Sequence, residues 1–348
     1  MIISRPIRGF APLGRINFLL SFLSRGRYDF RMKKLRLALI AGGFSGEREV
    51  SLKSGDAVHG ALDPEKYEVT RYDPQDGLAR LLENREKIDL AFVLLHGKYG
   101  EDGAIQGFLD LLGIPYVGSG LLASAMALNK KVAKDIYRIS GLRVAEDVYL
   151  TRRTDFSVDQ ILERLGPSTV VKPVSEGSSL GVAICHGGEQ LKNGLKCAFG
   201  YDEEVLVERF LQGTEITCCV LGNDMLEALP LIEIVPNPEY AFFDYKAKYT
   251  PGATNEVCPA RVSASHAEEA RSAAKRAHRA LGCRVWSRTD MMIHQEKVYL
   301  LETNTIPGMT ETSLVPLAAK TAGLSFPQFV DRLISLSLET NKRFIRAK

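Results

Sequence analysis

The stretch "WSRTDMMIHQEKVYLLETN", residues 286–304, holds two strand-like runs joined by a short polar link, and their pairing decides the C-terminal fold. Side chains alternate along a strand, so Arg288 and Asp290 share one face, as do Leu300, Glu302 and Asn304. A three-residue loop over residues 295–297 would pair His294 with Val298 and set Asp290 opposite Glu302. A two-residue loop would send Asp290 to the other face. The link has no turn glycine and does not choose between them. In the first register Asp290, Glu302 and Asn304 form an oxygen-rich cluster beside Arg288. Facing carboxylates are costly without a cation, and hard oxygen donors suit magnesium or manganese. A strand face neutralised by Arg288 alone is the competing reading.

Working towards the N-terminus, "TVVKPVSEGSSLGVAIC" (residues 169–185) and "EVLVERFLQGTEITCCVLG" (residues 204–222) are also closely spaced strand pairs. They predict antiparallel sheet with helices on one side, including the amphipathic run over residues 266–282. Residues 35–119 differ: short apolar strands alternate with helices of about ten residues, the pattern of a parallel, doubly wound sheet. Ligands gather at the carboxyl ends of such strands, where "AGGFSGERE" and "HGKYGEDG" stand. The fold class expected is α/β of this mixed kind. Its segments are an N-terminal lobe over residues 32–125, a central lobe over 126–213, a C-terminal lobe over 214–340 and a tail over 341–348.

The chain has 348 residues, enough for several lobes, with 45% hydrophobic and 25% charged residues, as in ordinary globular proteins. A net charge of +3 gives no argument for nucleic acid. The six cysteines form no metal-ligand spacing, and neighbouring Cys218 and Cys219 point to opposite strand faces, which fits small hydrophobes in a reducing compartment. Residues 1–31 carry six Arg and one acid around a short apolar run. That run is too short to span a bilayer. An organelle transit peptide and an extension upstream of a start at Met32 both fit, the second better, and the segment is expected to lie outside the fold.

Three further stretches carry chemistry. In "VVKPVSEGSSLG" a lysine ends a buried strand before a Gly/Ser loop, offering a cation and backbone amides to phosphate, although the Walker A pattern is absent. "AGGFSGEREVS" links strand to helix without a complete dinucleotide fingerprint. "FFDYKAKYTPG" is a loop bounded by Pro and Gly, long enough to act as a lid. Each has an ordinary structural alternative: a hairpin loop, a tight βα turn and a surface excursion.

Together and in order, "GGFSGEREVSLKSG", "LHGKYGEDGAIQG", "VGSG", "VVKPVSEGSSLGV", "DYKAKY", "SRTDMM" and "LLETNTIPGMTETSLVP" resemble the D-alanine–D-alanine ligases of the ATP-grasp superfamily. The resemblance spans residues 35–339. It implies ATP between two antiparallel sheets, with Lys130 and Lys172 on its phosphates and base edge. Glu208, Arg209, Phe210 and Leu211 would follow the adenine, Glu215 the ribose, and Lys248 would cap the site. Asp290, Glu302 and Asn304 would ligate two Mg²⁺ or Mn²⁺.

Glu47 would hold the ammonium of a first D-alanine, with His96 near its carboxylate. Ser313 would hold the carboxylate of the second, and Arg288 and the Gly308 amide would stabilise the oxyanion. Tyr249 would join Glu47 and Ser178 across the closed lid. The resemblance also implies a cytoplasmic homodimer acting on small molecules, with no nucleic acid or membrane partner. Lys246, where an acid is common, departs from the pattern. A ligase using D-serine or D-lactate as second substrate is the nearest alternative, and Tyr249 argues against D-lactate. A nicotinamide oxidoreductase would leave Asp290, Glu302 and Asn304 without a role.

Overall fold

The computed structural model describes residues 33–237 and 254–346, with side chains described through residue 340. The N-terminal leader and the lid residues Lys246, Lys248 and Tyr249 lie outside the described residues. Strand β1 (Leu35–Ile40) pairs in parallel with β2 (Tyr67–Tyr72) and β3 (Leu90–Val93), giving the order β2-β1-β3. Its last four residues are buried, as expected of a parallel strand covered on both faces. Helices α1 (Arg48–Ala61), α2 (Pro74–Glu83) and α3 (Ala104–Leu112) complete this part. The short strand expected over residues 115–119 reduces to one parallel bridge between Tyr116 and Ala91.

Helices α4 (Leu121–Leu128) and α5 (Lys130–Ile139) lead into a four-stranded antiparallel sheet. Its strands are β4 (Asp147–Thr151), β5 (Ser168–Pro173), β6 (Ala183–His186) and β7 (Glu204–Arg209), in the order β4-β7-β5-β6. Helices α6 (Val158–Leu165) and α7 (Gly187–Ala198) pack on it through Ile161, Leu165, Leu191 and Leu195.

The third sheet contains β8 (Thr214–Gly222), β9 (Leu226–Ala228), β10 (Ile232–Pro236), β11 (Thr254–Val257), β12 (Val285–His294) and β13 (Lys297–Asn304). Its order is β11-β10-β8-β12-β13, with β9 also on β8. Helix α8 (Ala264–Ala280) covers one face with a stripe of Ala270, Ala273, Ala274 and Ala277. Helices α9 (Leu314–Thr321) and α10 (Phe326–Arg346) belong to the other side. Cys218 joins the alanine-lined core and Cys219 the opposite one, so adjacent thiols do sit on opposite faces. From residue 34 onward the chain forms a single compact unit, and the three described sheets draw their strands from residues 35–93, 147–209 and 214–304.

The β12–β13 hairpin corrects the expected loop. It turns on two residues, Gln295 and Glu296, both left-handed at φ 46° and 59°, the geometry that matches strand twist in two-residue hairpins. His294 therefore pairs with Lys297 rather than Val298. A bulge between Asp290 and Met291 leaves Leu301 unopposed and restores Asp290 opposite Glu302. The expected pairing holds by a different route.

The α8–β12 contact carries a pH dependence. His278 is 1% exposed, its Nδ1 lies 2.8 Å from Ser287 Oγ, and its Nε2 has no hydrogen-bond partner among the described residues. Burial first, then the charge of Arg279, pushes its pKa down to about 4. The unfolded chain thus takes up a proton below the ordinary value near 6.5, while the folded chain resists until about 4. Stability is retained above that upper value and lost as pH falls through the window. The loss from this group is roughly 2 kcal/mol between pH 7 and pH 5. Urea unfolding of wild type and His278→Gln at both pH values should show a smaller acid loss in the variant. Equal losses would place the pH dependence elsewhere.

Candidate active site

Helix α5 starts at Asn129, whose Oδ1 accepts from Val132 N at 2.9 Å. The helix is anchored on β13 by Tyr137, whose hydroxyl donates to Thr303 Oγ1 at 2.7 Å. Helical spacing puts Lys130, Lys134 and Tyr137 on one face. Lys130 Nζ donates to Glu176 O at 2.5 Å, at the start of the Gly/Ser loop. Lys134, 1% exposed, reaches Glu208 Oε1 at 2.7 Å and Asp147 Oδ1 at 3.3 Å. The other oxygen of Glu208 pairs with Lys172 Nζ at 2.7 Å. Burial alone would raise the Glu208 pKa, but Lys172 and Lys134 overcome it and hold the carboxyl at about 2. For Lys134 burial dominates and lowers the ammonium to about 8 despite Glu208.

Between the two antiparallel sheets lies a cavity of about 100 Å³. Lys130, Lys172, Glu208, Arg209, Phe210, Leu211, Glu215, Asp290 and Glu302 all line it. It therefore brings the expected nucleotide residues other than Lys248, which lies outside the described residues, together with two of the three expected metal ligands. Asn304, the third, follows Glu302 on β13, and its Oδ1 accepts from Ile306 N at 2.9 Å. An amide oxygen has two lone pairs, so one acceptor site remains. Arg288 grips Asp290 in a fork, Nε to Oδ1 at 2.8 Å and Nη2 to Oδ2 at 2.7 Å. Thr217, opposite Asp290 on β8, donates to Oδ1 at 2.5 Å. Desolvation opposes the Arg288 charge, yet Asp290 holds its pKa far above the ordinary value. The strand face reading and the metal reading thus share the same residues.

A second group forms where the first lobe meets the Gly/Ser loop. Glu47 is 6% exposed and accepts a hydrogen bond from Ser178, 131 positions later in the chain. Ser178 and Ser179 are left-handed, at φ 48° and 58°, an unusual backbone for serine that aims the loop towards Glu47. Glycine suits the facing turn, where Gly97 has φ 68° and a Cβ would stand 2.5 Å from Glu47 Oε2. Near this point Gly97 N donates to Glu101 Oε2 at 2.6 Å. Burial first, and then the charge of Glu47, pushes the Glu101 pKa well up.

His96 is 5% exposed, with Nε2 3.3 Å from Ser54 Oγ. Burial lowers its pKa to about 4, so the imidazole is neutral at pH 7. Ser54 Oγ also accepts from Met309 N at 3.3 Å, tying α1 to the turn after β13. In that turn a Cβ on Gly308 would lie 3.0 Å from Ser313 Oγ. Ser313 accepts from Thr310 N at 3.0 Å and precedes α9.

Sequence reasoning missed Lys134, Thr217, Glu101 and Ser54. Two had usable signals: Lys134 lies one turn after Lys130, and Thr217 shares a strand face with Glu215. The burial of Glu101 and Ser54 has no local signature.

Comparison with known proteins accords with this geometry. The model of the family described as D-ala D-ala ligase C-terminus matches residues 136–335, and that of D-ala D-ala ligase N-terminus matches residues 73–119. The chain is 53% identical to a D-alanine–D-alanine ligase of Syntrophobacter fumaroxidans, over 88% of this chain and 99% of the relative. A second such ligase, from Desulfotalea psychrophila, is 51% identical over 90% and 98% of the two chains. Among solved structures, the Bacillus anthracis D-alanine–D-alanine ligase complexed with ATP superposes with a TM-score of 0.79. It is 35% identical, and the match covers 89% of this chain and 99% of that one.

Proposed function

The chain belongs to the D-alanine–D-alanine ligase family, and from that premise we propose how its own residues perform the reaction. It is an ATP-dependent ligase that joins two D-alanines for peptidoglycan synthesis. The observation that carries the site reading is the cavity in which Lys130, Lys172, Glu208 and Glu215 meet Asp290 and Glu302.

In this reading ATP occupies the cavity with its adenine along Glu208, Arg209, Phe210 and Leu211 and its ribose at Glu215. Lys130 and Lys172 neutralise phosphate oxygens; Lys248, by resemblance a cap on the site, lies outside the described residues. Glu47 pairs with the ammonium of the first D-alanine, and neutral His96 lies near its carboxylate. A carboxylate oxygen of that substrate attacks the γ-phosphorus, the bond to the β-phosphate oxygen breaks, and ADP leaves. The neutral amine of the second D-alanine, held through its carboxylate by Ser313, then attacks the acyl carbon. A C–N bond forms, inorganic phosphate leaves, and the amine gives up a proton. Arg288 and the Gly308 amide hold the oxyanion of the intermediate, fixed in place before charge develops. By resemblance Tyr249, outside the described residues, would join Glu47 and Ser178 over the closed site.

Asp290 and Glu302 face each other across the ladder and line the cavity, and Asn304 adds a third oxygen. This all-oxygen set fits two Mg²⁺ or Mn²⁺ ions, which would supply charge neutralisation at the transferred phosphoryl group. The enzyme is proposed to act in the cytoplasm as a homodimer. Among the described residues no helix is long and apolar enough to cross a membrane.

Phosphate release from ATP should require both D-alanine and Mg²⁺ or Mn²⁺, and D-alanyl-D-alanine should accumulate in equal amount. Release that is indifferent to added metal would remove the ion site from the proposal. Release with L-alanine at the same rate would remove the substrate assignment.

A further inference from the structure

We propose that Lys134, together with Asp147, is a positioning pair that sets the availability of Lys172 for the phosphates of ATP. This rests on the reading above that Lys172 contacts the nucleotide. Strand β4 places Asp147 directly opposite Glu208 on β7, and these residues are 8% and 4% exposed. Two buried carboxylates facing each other across a ladder repel unless a cation stands between them. Lys134 is that cation, 3.3 Å from Asp147 Oδ1 and 2.7 Å from Glu208 Oε1. Arg138, one turn further along α5, also pairs with Asp147.

Glu208 consequently divides its charge: one oxygen faces Lys134 and the other faces Lys172, 2.7 Å away. Lys172 also feels the acids Glu302 and Glu215. An ammonium surrounded by carboxylates gives little net charge to a phosphate. Lys134 relieves this by taking part of Glu208 from the side away from the cavity. It does not line the cavity, so it acts through Glu208. Without Lys134, Arg138 answers Asp147 from a more exposed position, Asp147 still repels Glu208 in part, and Glu208 binds Lys172 alone.

The test is steady-state kinetics of Lys134→Met, with melting temperature measured alongside. KM for ATP should rise roughly tenfold, the effect of one charged hydrogen bond, while KM for D-alanine stays near wild type. Glu208 itself lines the nucleotide cavity, so Glu208→Gln is measured alone and with Lys134→Met; its cost in KM for ATP should be smaller in the Lys134→Met background, where removing it also frees Lys172. Adding Asp147→Asn should restore melting temperature by ending the facing repulsion, yet leave KM for ATP high. That variant also serves if Lys134→Met alone does not fold. A fall in melting temperature with unchanged KM for ATP would make Lys134 merely structural and overturn the proposal. Equal rises in both KM values, or a Glu208→Gln cost that is the same with and without Lys134, would overturn it as well. Lys172→Met separates the underlying reading: unchanged KM for ATP there would mean that Lys172 does not meet the nucleotide.

Discussion

Glu302→Gln should reduce ligation by about a hundredfold or more and leave the fold intact. The amide has the size and hydrogen-bonding reach of the carboxylate but not its charge. Glu302 faces Asp290 across β12 and β13 and shares the cavity with Lys172. Asp290 sits in the Arg288 fork, and Glu302 lies in the field of the same guanidinium and of Lys172. Removing the Glu302 charge should not destabilise the metal-free protein, since one of two facing acids is relieved. Thermal unfolding without metal should therefore be unchanged or slightly raised, and the stabilisation given by Mg²⁺ with ATP should shrink. Near-normal activity would mean that Arg288 alone accounts for the strand face.

This pair also shows how much the sequence could say. Alternation along residues 286–294 and 298–304 offered Asp290 opposite Glu302 as one of two registers and did not choose between them. The two-residue turn uses Gln295 and Glu296 in a conformation usually given to glycine or asparagine, so no turn residue announces it. The bulge at Leu301 has no signature either, because an unopposed leucine in an apolar strand reads like its neighbours. The mistaken loop and the unseen bulge cancel, and the expected pairing survives.

Lys134 failed differently. "NKKVAK" has the look of a solvated helix face, and nothing local places an acid beside it. Its partner Glu208 is 74 positions away and Asp147 lies on another strand. Burial of a lysine is decided by what the fold brings to it, which is invisible until the sheets are assembled. The apolar strands and amphipathic helices were legible for the opposite reason, since periodicity is written into neighbouring residues. The Pro and Gly around "FFDYKAKYTPG" pointed to a lid and only the resemblance gave Tyr249 its role there; Tyr249 lies outside the described residues.

The other large effect expected is at Glu47, where Glu47→Gln should raise KM for the first D-alanine by roughly tenfold to a hundredfold. An acid at a helix start is ordinarily explained by capping or by the helix dipole. Here the Glu47 side chain makes no capping bond to α1. It turns instead to the loop carrying Ser178, and Gly97 and Gly177 leave it room: Cβ atoms there would stand 2.5 and 3.0 Å from Oε2. A buried carboxylate reached by two glycine turns and a left-handed serine is placed to receive a cation, and in the proposed site the substrate ammonium would supply one. Glutamine keeps the bond from Ser178 and the packing, so closure of the Gly/Ser loop should persist. KM for ATP and KM for the second D-alanine should then stay near wild type, as two-substrate kinetics would resolve. The variant also removes the charge that helps raise the Glu101 carboxyl, so Glu101 should titrate lower, as carboxyl NMR shifts would record. A change confined to melting temperature would make Glu47 a structural acid. An unchanged Glu101 titration would mean that burial alone sets it.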